Sequence, residues 1–295
     1  MRTPFVVVSM LVATLAAAQQ PKPKVYISVD MEGISGIVHG DQVNSEKPEY
    51  AAARRWMAED VNAVVAGLLA AGAGEIVVND SHGGMRNISP ADLRPEASLI
   101  SGTPKPLAMM AGIDSSFAAC VFVGYHAEAG SSNAILDHTI SGAAVHAITV
   151  NGVEMPELGL NALIAGVYDV PVIMLSGDAA ACAQAKSVLG SDLVTVPVKE
   201  ALSRTAARLV PFAEARKQLE AAAREAFAKR ATRKPFRLEA PLRVAVSFQN
   251  SGLAEMGESV PGVTRTDPRT LSFVAQDPLE GFKLLRVLIT LASAR

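Results

Sequence analysis

The feature that most constrains the fold of this chain is the alternation of short apolar runs with helical segments. Two of the runs, KVYISVD from Lys24 to Asp30 and EIVVND from Glu75 to Asp80, contain many β-branched residues, and the Ala-rich segment from Ala51 to Ala71 lies between them. Strands that alternate with helices and read as short apolar runs are typical of a mostly parallel sheet flanked by helices. We therefore predict an α/β fold built on such a sheet.

The part of the chain after Lys199 differs in composition from the part before it. The segment from Ala201 to Arg230 is rich in Ala, Arg, Lys and Glu, and Pro211 within it starts or kinks a helix. The pair Asp277-Pro278 supplies an N-cap and a first-turn proline for a last helix that ends near Ala294. We predict a smaller C-terminal α+β portion, with a sub-domain boundary near residue 199 at most.

The N-terminal segment has the parts of a secretory signal peptide. Arg2 precedes an apolar run from Pro4 to Ala17, and small residues up to Ala18 form a cleavage site. We predict a signal peptide over residues 1–18, a mature domain over residues 19–295 and an exported protein, either periplasmic or secreted. A buried N-terminal strand and an uncut anchor are the alternatives. After this segment, no stretch of eighteen consecutive residues is apolar and without a charged residue, so we expect no stable membrane span in the mature chain.

Composition argues against a nucleic-acid partner and leaves open whether the two cysteines form a disulfide. The net charge is −2 and aromatic residues make up 5% of the chain, so neither a basic surface nor a stacking platform for nucleic acid is expected. The two cysteines, Cys120 and Cys182, both lie in apolar segments. Export would permit a disulfide between them, whereas unpaired buried thiols are the alternative.

Acidic and imidazole side chains follow three of the predicted strands. Asp30 ends the first strand and Glu32 comes two residues later, His82 follows the second strand, and His126 ends another that we expect to be its neighbour. Ligands of open α/β sheets bind beyond the carboxyl ends of the strands, so these groups should meet at one edge. Glu157 begins a predicted helix, where the helix dipole favours a carboxylate, and it can point to the same edge.

This mixture of donors predicts a metal site. Carboxylates together with imidazoles suit zinc or manganese, and five donors exceed what one tetrahedral zinc needs. Two metals that share a carboxylate would use all five and leave room for an activated water molecule. Each residue also has a simpler interpretation: Asp30 as a strand-end cap, Glu32 as a solvated loop charge, the two histidines as core imidazoles and Glu157 as a helix cap.

A family resemblance appears at these residues. The segment from Ser28 to Gly36, SVDMEGISG, resembles the opening motif of the DppA-type zinc D-aminopeptidases. The resemblance covers nearly all of the mature chain, and it continues in order through Val78–His82, Leu99–Gly102, Gly124–Ala127, Asp137–Thr139, Glu157–Ala162, Val198-Lys199 and Ser203-Arg204. It implies that residues 19–295 are a metallopeptidase domain.

What the resemblance implies for the site is more specific. Members of the family bind two zinc ions, and the positions that match their ligands are Asp30, Glu32, His82, His126 and Glu157, with Asp30 as the bridging carboxylate. His138 matches a histidine proposed to act in catalysis as nucleophile or proton carrier. The family removes an N-terminal D-residue, chiefly D-Ala, from short peptides. Its members form large rings, so we expect a ring-like homo-oligomer, with a decamer as a candidate size.

Several alternatives stay open from the sequence. The same site in another dinuclear hydrolase would serve an L-aminopeptidase, an amidase or an esterase, and other divalent metals would fit it. A non-enzymatic exported metal- or solute-binding protein would instead close its coordination sphere. Asp137 and Thr139 are candidates to orient the ring of His138. Lys199 either contacts a substrate carboxylate or an oxyanion, or is an exposed lysine.

Overall fold

The computed structural model describes residues 22–294, which form two sheets and the helices that cover them. The predicted signal peptide at residues 1–18 lies outside the described residues. The strands are β1 (Lys24–Val29), β2 (Ile76–Asp80), β3 (Ala97–Ile100), β4 (Phe117–Tyr125), β5 (Val145–Val150), β6 (Val153–Glu154), β7 (Val172–Asp178), β8 (Val194–Ser203), β9 (Ala206–Leu209), β10 (Leu242–Phe248), β11 (Thr264–Asp267) and β12 (Thr270–Ala275). The helices are α1 (Gly40–Val43), α2 (Tyr50–Ala70), α3 (Glu157–Val167), α4 (Ala179–Leu189), α5 (Phe212–Ala228), α6 (Gly252–Glu255) and α7 (Pro278–Ser293).

The first sheet has the strand order β3-β2-β1-β4-β7-β8-β9. All pairs in it are parallel except the last, in which β9 runs antiparallel to β8 at one edge. β1 therefore lies inside the sheet with β2 on one side and β4 on the other. This position explains why β1 is buried at every residue after Lys24, as expected for a strand covered on both faces.

Helices cover both faces of this sheet, as the sequence predicts. On one face α2 and α5 pack against each other and the sheet, with Leu68 and Leu219 in the core. On the other face α3 and α4 contribute Leu158 and Cys182 to a second buried cluster. Burial on both faces leaves the carboxyl edge of the sheet as the place where polar groups can collect.

The second sheet is antiparallel and has the order β11-β12-β10-β5-β6. Helix α7 packs on it through Leu285, Leu288 and Ile289. The side chain of Asp277 accepts a hydrogen bond from the backbone N–H of Glu280, so the predicted N-cap of this helix is confirmed. Together these elements form the predicted smaller α+β portion.

The division between the two sheets does not fall at residue 199. β5 and β6 come from earlier in the chain and enter the second sheet, whereas β8, β9 and α5 still belong to the first. Residues 201–209 form the hairpin of β8 and β9, so only the part of the Ala-rich segment after Pro211 is helical. The Ala-rich composition hides this hairpin, because its pairing depends on β7 rather than on local propensity.

Two further expectations concern the whole chain. Cys120 and Cys182 are both buried and unpaired, so the disulfide that export would permit is absent. Among residues 22–294, the helices are all too short or too polar to cross a membrane.

Candidate metal centre

The loop after β1 brings two carboxylates to the carboxyl edge of the first sheet. The backbone N–H of Asp30 donates to Val123 of β4 (2.8 Å), and that of Gly33 donates to Gly124 (2.8 Å). The loop lies so close to β4 that a Cβ atom on Gly33 would collide with the carbonyl oxygen of Tyr125. Glycine is therefore required here, and the close contact fixes Asp30 and Glu32 on either side of one backbone turn.

Lys199 holds the same loop from beneath, which neither interpretation of this residue from the sequence anticipates. Its side chain is only 1% exposed, and Nζ donates to the carbonyl oxygens of Glu32 (2.6 Å), Ile34 (2.8 Å) and Ile37 (2.7 Å). Burial lowers the pKa of Lys199 to about 7, against the opposing effect of Asp178 and other carboxylates. Three carbonyl acceptors need three N–H donors, so this geometry favours the ammonium form.

His82 faces both carboxylates of this loop. Its Nε2 donates to the carbonyl of Val43 (2.9 Å). Its Nδ1 lies 3.0 Å from Glu32 Oε2 and 3.3 Å from Asp30 Oδ1. Because the ring hydrogen is on Nε2, a neutral ring turns the lone pair of Nδ1 toward the carboxylates, which is the orientation of a metal-ligating histidine.

His126 reaches Asp30 from the other side. Its Nδ1 donates to the carbonyl of Ala127 (3.0 Å), and its Nε2 lies 3.3 Å from Asp30 Oδ2 and 3.5 Å from Glu157 Oε1. The strands that precede His82 and His126 are not neighbours, contrary to our expectation, because β1 lies between them. Asp30 therefore lies between the two histidines and points one carboxylate oxygen at each.

Glu157 begins α3 and is buried at the same edge. Its Oε2 accepts a hydrogen bond from the backbone N–H of Ile140 (2.6 Å), which leaves Oε1 toward His126. Ile140 has φ 62° and Leu136 has φ 51°, so residues on both sides of His138 adopt the left-handed region that a β-branched residue avoids. The bond to Glu157 helps to hold this strained loop in place.

His138 lies beside these donors at the mouth of the site. Its ring stacks on that of His126, with centroids 3.8 Å apart and planes at 16°. Nδ1 donates to the carbonyl of Leu136 (2.8 Å), and Nε2 is 4.0 Å from Glu32 Oε1. A backbone carbonyl thus orients the ring, whereas Asp137 pairs with Arg204 and Thr139 accepts from Ala129. The expectation that these two neighbours orient the ring is wrong.

The charges of the site are strongly coupled. Burial would lower the pKa of His82 and of His126, but nearby Glu32, Glu157 and Asp30 outweigh it and raise both pKa values well above the usual range. Burial would likewise raise the pKa of Glu32 and Glu157, but the imidazoles outweigh it and lower both. Each gap between an imidazole and a carboxylate therefore attracts a positive charge, which a proton or a metal can supply.

The donor set fits a metal better than a hydrogen-bond network. Within the described part of the chain, Glu32 Oε2 and His126 Nε2 are buried without a hydrogen-bond partner. Two groups have donor atoms within 4.8 Å of one another, namely Asp30, Glu32 and His82, and His126, His138 and Glu157. We call them the first and the second triad. Mixed nitrogen and oxygen donors in this arrangement suit zinc.

Other acidic groups at this edge are already used by the protein. The carboxylate of Asp80 accepts hydrogen bonds from the backbone of Asn87 (2.5 Å) and Ile88 (2.8 Å) and so shapes the loop that carries His82. The carboxylate of Asp178 accepts from Ala181 (2.7 Å) and Ile135 (2.6 Å). Both oxygens of each carboxylate therefore accept hydrogen bonds within the protein, and these bonds hold the neighbouring loops in place.

The triads open into a cavity of about 190 Å³. A buried network supports its floor, in which the hydroxyl of Tyr125 bonds to Ser28 (2.7 Å) and accepts from Asn161 Nδ2 (3.0 Å). Phe282 and Arg286 of α7 form a wall that sequence reasoning missed. The one available signal was a cation on the otherwise apolar face of an amphipathic helix.

A fold of this kind, with imidazole and carboxylate donors converging beyond a parallel sheet, defines a metallohydrolase. The D-aminopeptidase family model matches residues 24–287. A D-aminopeptidase of Bacillus subtilis (strain 168) is 38% identical over 272 residues, which cover 91% of this chain and 97% of the relative. The chain belongs to the D-aminopeptidase family, and the resemblance predicted from the motifs is confirmed.

A solved structure agrees in fold. It is that of a zinc-dependent D-aminopeptidase, DppA from Bacillus subtilis, described as a self-compartmentalizing protease. It superposes with a TM-score of 0.89 at 36% sequence identity and covers 92% of this chain and 98% of its own. The predictions of a mostly parallel α/β fold and of a zinc-dependent aminopeptidase are confirmed at the level of the family.

Proposed function

We propose that this chain removes the N-terminal residue, D-alanine or another D-amino acid, from short peptides at a site that holds two zinc ions. The observation that carries the proposal is the position of Asp30. One of its oxygens lies 3.3 Å from His82 and the other lies 3.3 Å from His126. A carboxylate divided in this way between two groups of donors is suited to bridge two metals.

Sharing Asp30 gives each metal three protein ligands. Asp30, Glu32 and His82 would hold one zinc, and Asp30, His126 and Glu157 would hold the other. Three ligands per metal leave a coordination position open, as catalytic zinc sites require, whereas a storage or transport site would be closed. Zinc ions held there would polarise a peptide carbonyl and activate water for attack on it.

His138 has the properties of a proton carrier for this reaction. Its Nδ1–H is fixed by Leu136, so Nε2 is free to accept a proton and to deliver it to the leaving amine. The ring is partly exposed at the cavity, unlike that of His126, which is fully enclosed. This difference in exposure supports a catalytic role for His138 beside a ligand role for His126.

A substrate screen on zinc-reconstituted protein tests the proposal. D-alanyl and L-alanyl p-nitroanilides, with an alanine ester and an N-acetylated peptide alongside, separate the candidate activities. We expect turnover of the D-alanyl anilide in preference to its L-enantiomer, and none of the N-acetylated peptide. A preference for the L-enantiomer would indicate an L-aminopeptidase, turnover of the acetylated peptide or the ester alone would indicate an amidase or esterase, and zinc binding without turnover would indicate a binding protein.

Assembly and export complete the proposal. Because the Bacillus subtilis relative is described as self-compartmentalizing, we expect this chain to form a closed homo-oligomer, and light scattering that reports a monomer would exclude it. The apolar N-terminal segment supports cleavage after Ala18 and a location outside the cytoplasm. Intact-mass analysis of exported protein that still carries Met1 would exclude the cleavage.

A further inference from the structure

Arg286 is a cation at the wall of the cavity whose charge the triads do not use. It lies on α7, one helical turn after Phe282, so the two side chains share a face and both line the cavity. The other charged groups of the lining are the carboxylates Asp30, Glu32 and Glu157, and the two histidines belong to the triads. Arg286 is therefore the one permanent positive charge among the described residues of the cavity wall.

The guanidinium has donors to spare. Within residues 22–294 its side chain makes neither a hydrogen bond nor an ion pair, although it is half-buried and senses the charge of Glu157. Burial lowers the pKa of Arg286, against the opposing effect of Glu157. A buried or half-buried guanidinium that lacks a partner is costly, and a ligand carboxylate would offset that cost.

Other donors around the cavity are already engaged. Asn161 Nδ2 donates to Tyr125 and to Met109, and Ser81 Oγ donates to the carbonyl oxygen of Asn79 (3.0 Å). Among the lining side chains outside the two triads, this leaves the guanidinium of Arg286 and the hydroxyl of Thr103 to bind an anionic group of a ligand. Arginine is well suited to this because its planar fork binds carboxylates with two parallel hydrogen bonds.

The backbone position of Arg286 is fixed by the capping and packing of α7. Asp277 caps the start of α7, and Leu285, Leu288 and Ile289 bury the neighbouring face of the helix against the second sheet. The cavity of about 190 Å³ is smaller than the roughly 300–1,000 Å³ of pockets that hold drug-sized ligands. A ligand that reaches from the triads to Arg286 is therefore short.

We propose that Arg286 binds the free α-carboxylate of the substrate and so selects the shortest peptides, dipeptides above all. The assignment rests on the proposed peptidase function, because it presumes that the amino end and scissile bond lie at the triads. In a dipeptide the leaving residue itself carries the α-carboxylate. The distance from the triads to Arg286 therefore determines how long a peptide can be and still place its carboxylate on Arg286. Arg286 is then a specificity-determining residue.

The test compares D-alanyl-D-alanine with its C-terminal amide, which differs only in the carboxylate. Wild-type protein loaded with zinc should favour the free acid in kcat/KM. Arg286→Gln should lose about 10- to 100-fold on the acid, the effect of losing a charge-assisted hydrogen bond, and little on the amide. Arg286→Lys should keep part of the preference, because it keeps the charge without the fork.

Lys283→Gln is the matched control, since it removes a charge from an exposed position of the same helix. We expect it to leave both substrates unchanged. Equal losses on acid and amide in Arg286→Gln, or no loss on either, would overturn the assignment. Calorimetric titration of both peptides into His138→Ala and into the double variant His138→Ala/Arg286→Gln separates recognition from turnover. One outcome would separate the two proposals. If the wild type cleaves neither peptide, but the single variant binds the acid more tightly than the amide and the double variant does not, the role of Arg286 stands and the peptidase function is overturned.

Discussion

The two triads meet at Asp30, a member of the first whose Oδ2 faces His126 of the second, but they are built in different ways. The first consists of two carboxylates and one imidazole, and the two carboxylates, Asp30 and Glu32, lie two positions apart in one loop that Gly33 and Lys199 fix. The second consists of one carboxylate and two imidazoles, which come from the end of β4, a strained loop and the start of α3. The carboxylates of the first triad are therefore a local motif that only His82 joins from another strand, whereas every member of the second comes from a separate segment.

The difference in donors is also a difference in charge. Two carboxylates beside one imidazole make the first triad more negative than the second, which has one carboxylate and two imidazoles. If His138 serves as the proton carrier, Asp30 takes its place as the third ligand of the second metal, and both metals then have two carboxylates and one imidazole. Asp30 is the group through which the two triads can be tested together.

Replacement of Asp30 should disrupt both triads at once. Asp30→Ala removes the carboxylate between two nearby cations, so their repulsion should expel at least one metal. We expect a loss of at least about 10⁴-fold in kcat/KM, since metal activation contributes several kcal/mol to catalysis. Elemental analysis of metal per chain beside kinetic assays provides the measurement.

Glu32→Gln is the control for that variant, because Glu32 belongs to the first triad alone. Glu32→Gln should weaken the binding of the metal at the first triad and leave a metal bound at the second. Two metals and wild-type activity in Asp30→Ala would show that Asp30 does not bridge the metals, and loss of both metals in Glu32→Gln would show that the triads do not load separately.

Replacement of His138 should affect turnover and not metal content. With Asp30 shared, the second metal has three ligands without His138, so His138→Ala should retain both metals. We expect kcat to fall by roughly 10²–10⁴-fold, as for a missing proton carrier. His146→Ala, which removes an exposed histidine of β5, should leave kcat unchanged. Loss of one metal from His138→Ala would move His138 into the ligand set of the second triad.

Replacement of Lys199 should weaken the first triad through its loop. Lys199→Met leaves three buried carbonyl oxygens without donors, so we expect the free energy of unfolding to fall by about 2–4 kcal/mol. Zinc in the first triad should bind more weakly, because Glu32 loses its fixed backbone. Urea denaturation compared with Lys229→Met, which replaces an exposed lysine at the C-cap of α5, provides the measurement. Equal stability of the two variants would show that the ammonium does not hold the loop.

The pH dependence of zinc binding should be alike in the two triads, although their compositions differ. His82 and His126 each have a raised pKa, so below these values zinc must displace one proton in each triad. Affinity for each zinc should therefore fall by about tenfold per pH unit as pH falls below the raised pKa, and should level off above it. Calorimetry in two buffers with different ionisation enthalpies counts the protons. Release of none near neutral pH would show that the imidazoles are already deprotonated.

Much of the first triad could be predicted from the sequence. Asp30, Glu32 and Gly33 lie in one motif at the end of an apolar strand, and parallel strands bring their carboxyl ends to one edge. The same rule identified His82 and His126. It did not predict the order of the strands that precede them, because sequence spacing does not determine which strands pair, and β1 lies between β2 and β4.

Contacts between distant segments could not be predicted. Lys199 bonds to the carbonyl of Glu32 across 167 positions of the chain, and nothing near Lys199 in the sequence announces that contact. Arg286 reaches the cavity only because α7 packs on the second sheet with one particular face. Helical periodicity predicts that such a face exists, but it does not predict what the face contacts.

The class of the sheet, the strand ends and the chemical types of the donors follow from the sequence, because local periodicity and the groups that the residues carry set them. Which acidic groups face the histidines depends on how the loops pack. Asp30, Asp80 and Asp178 all lie at carboxyl ends of strands in the same sheet, but both oxygens of Asp80 and of Asp178 accept hydrogen bonds from N–H groups of packed loops. Asp30 accepts one such bond, from the backbone N–H of Met31 to Oδ1, and each of its oxygens still lies 3.3 Å from a histidine.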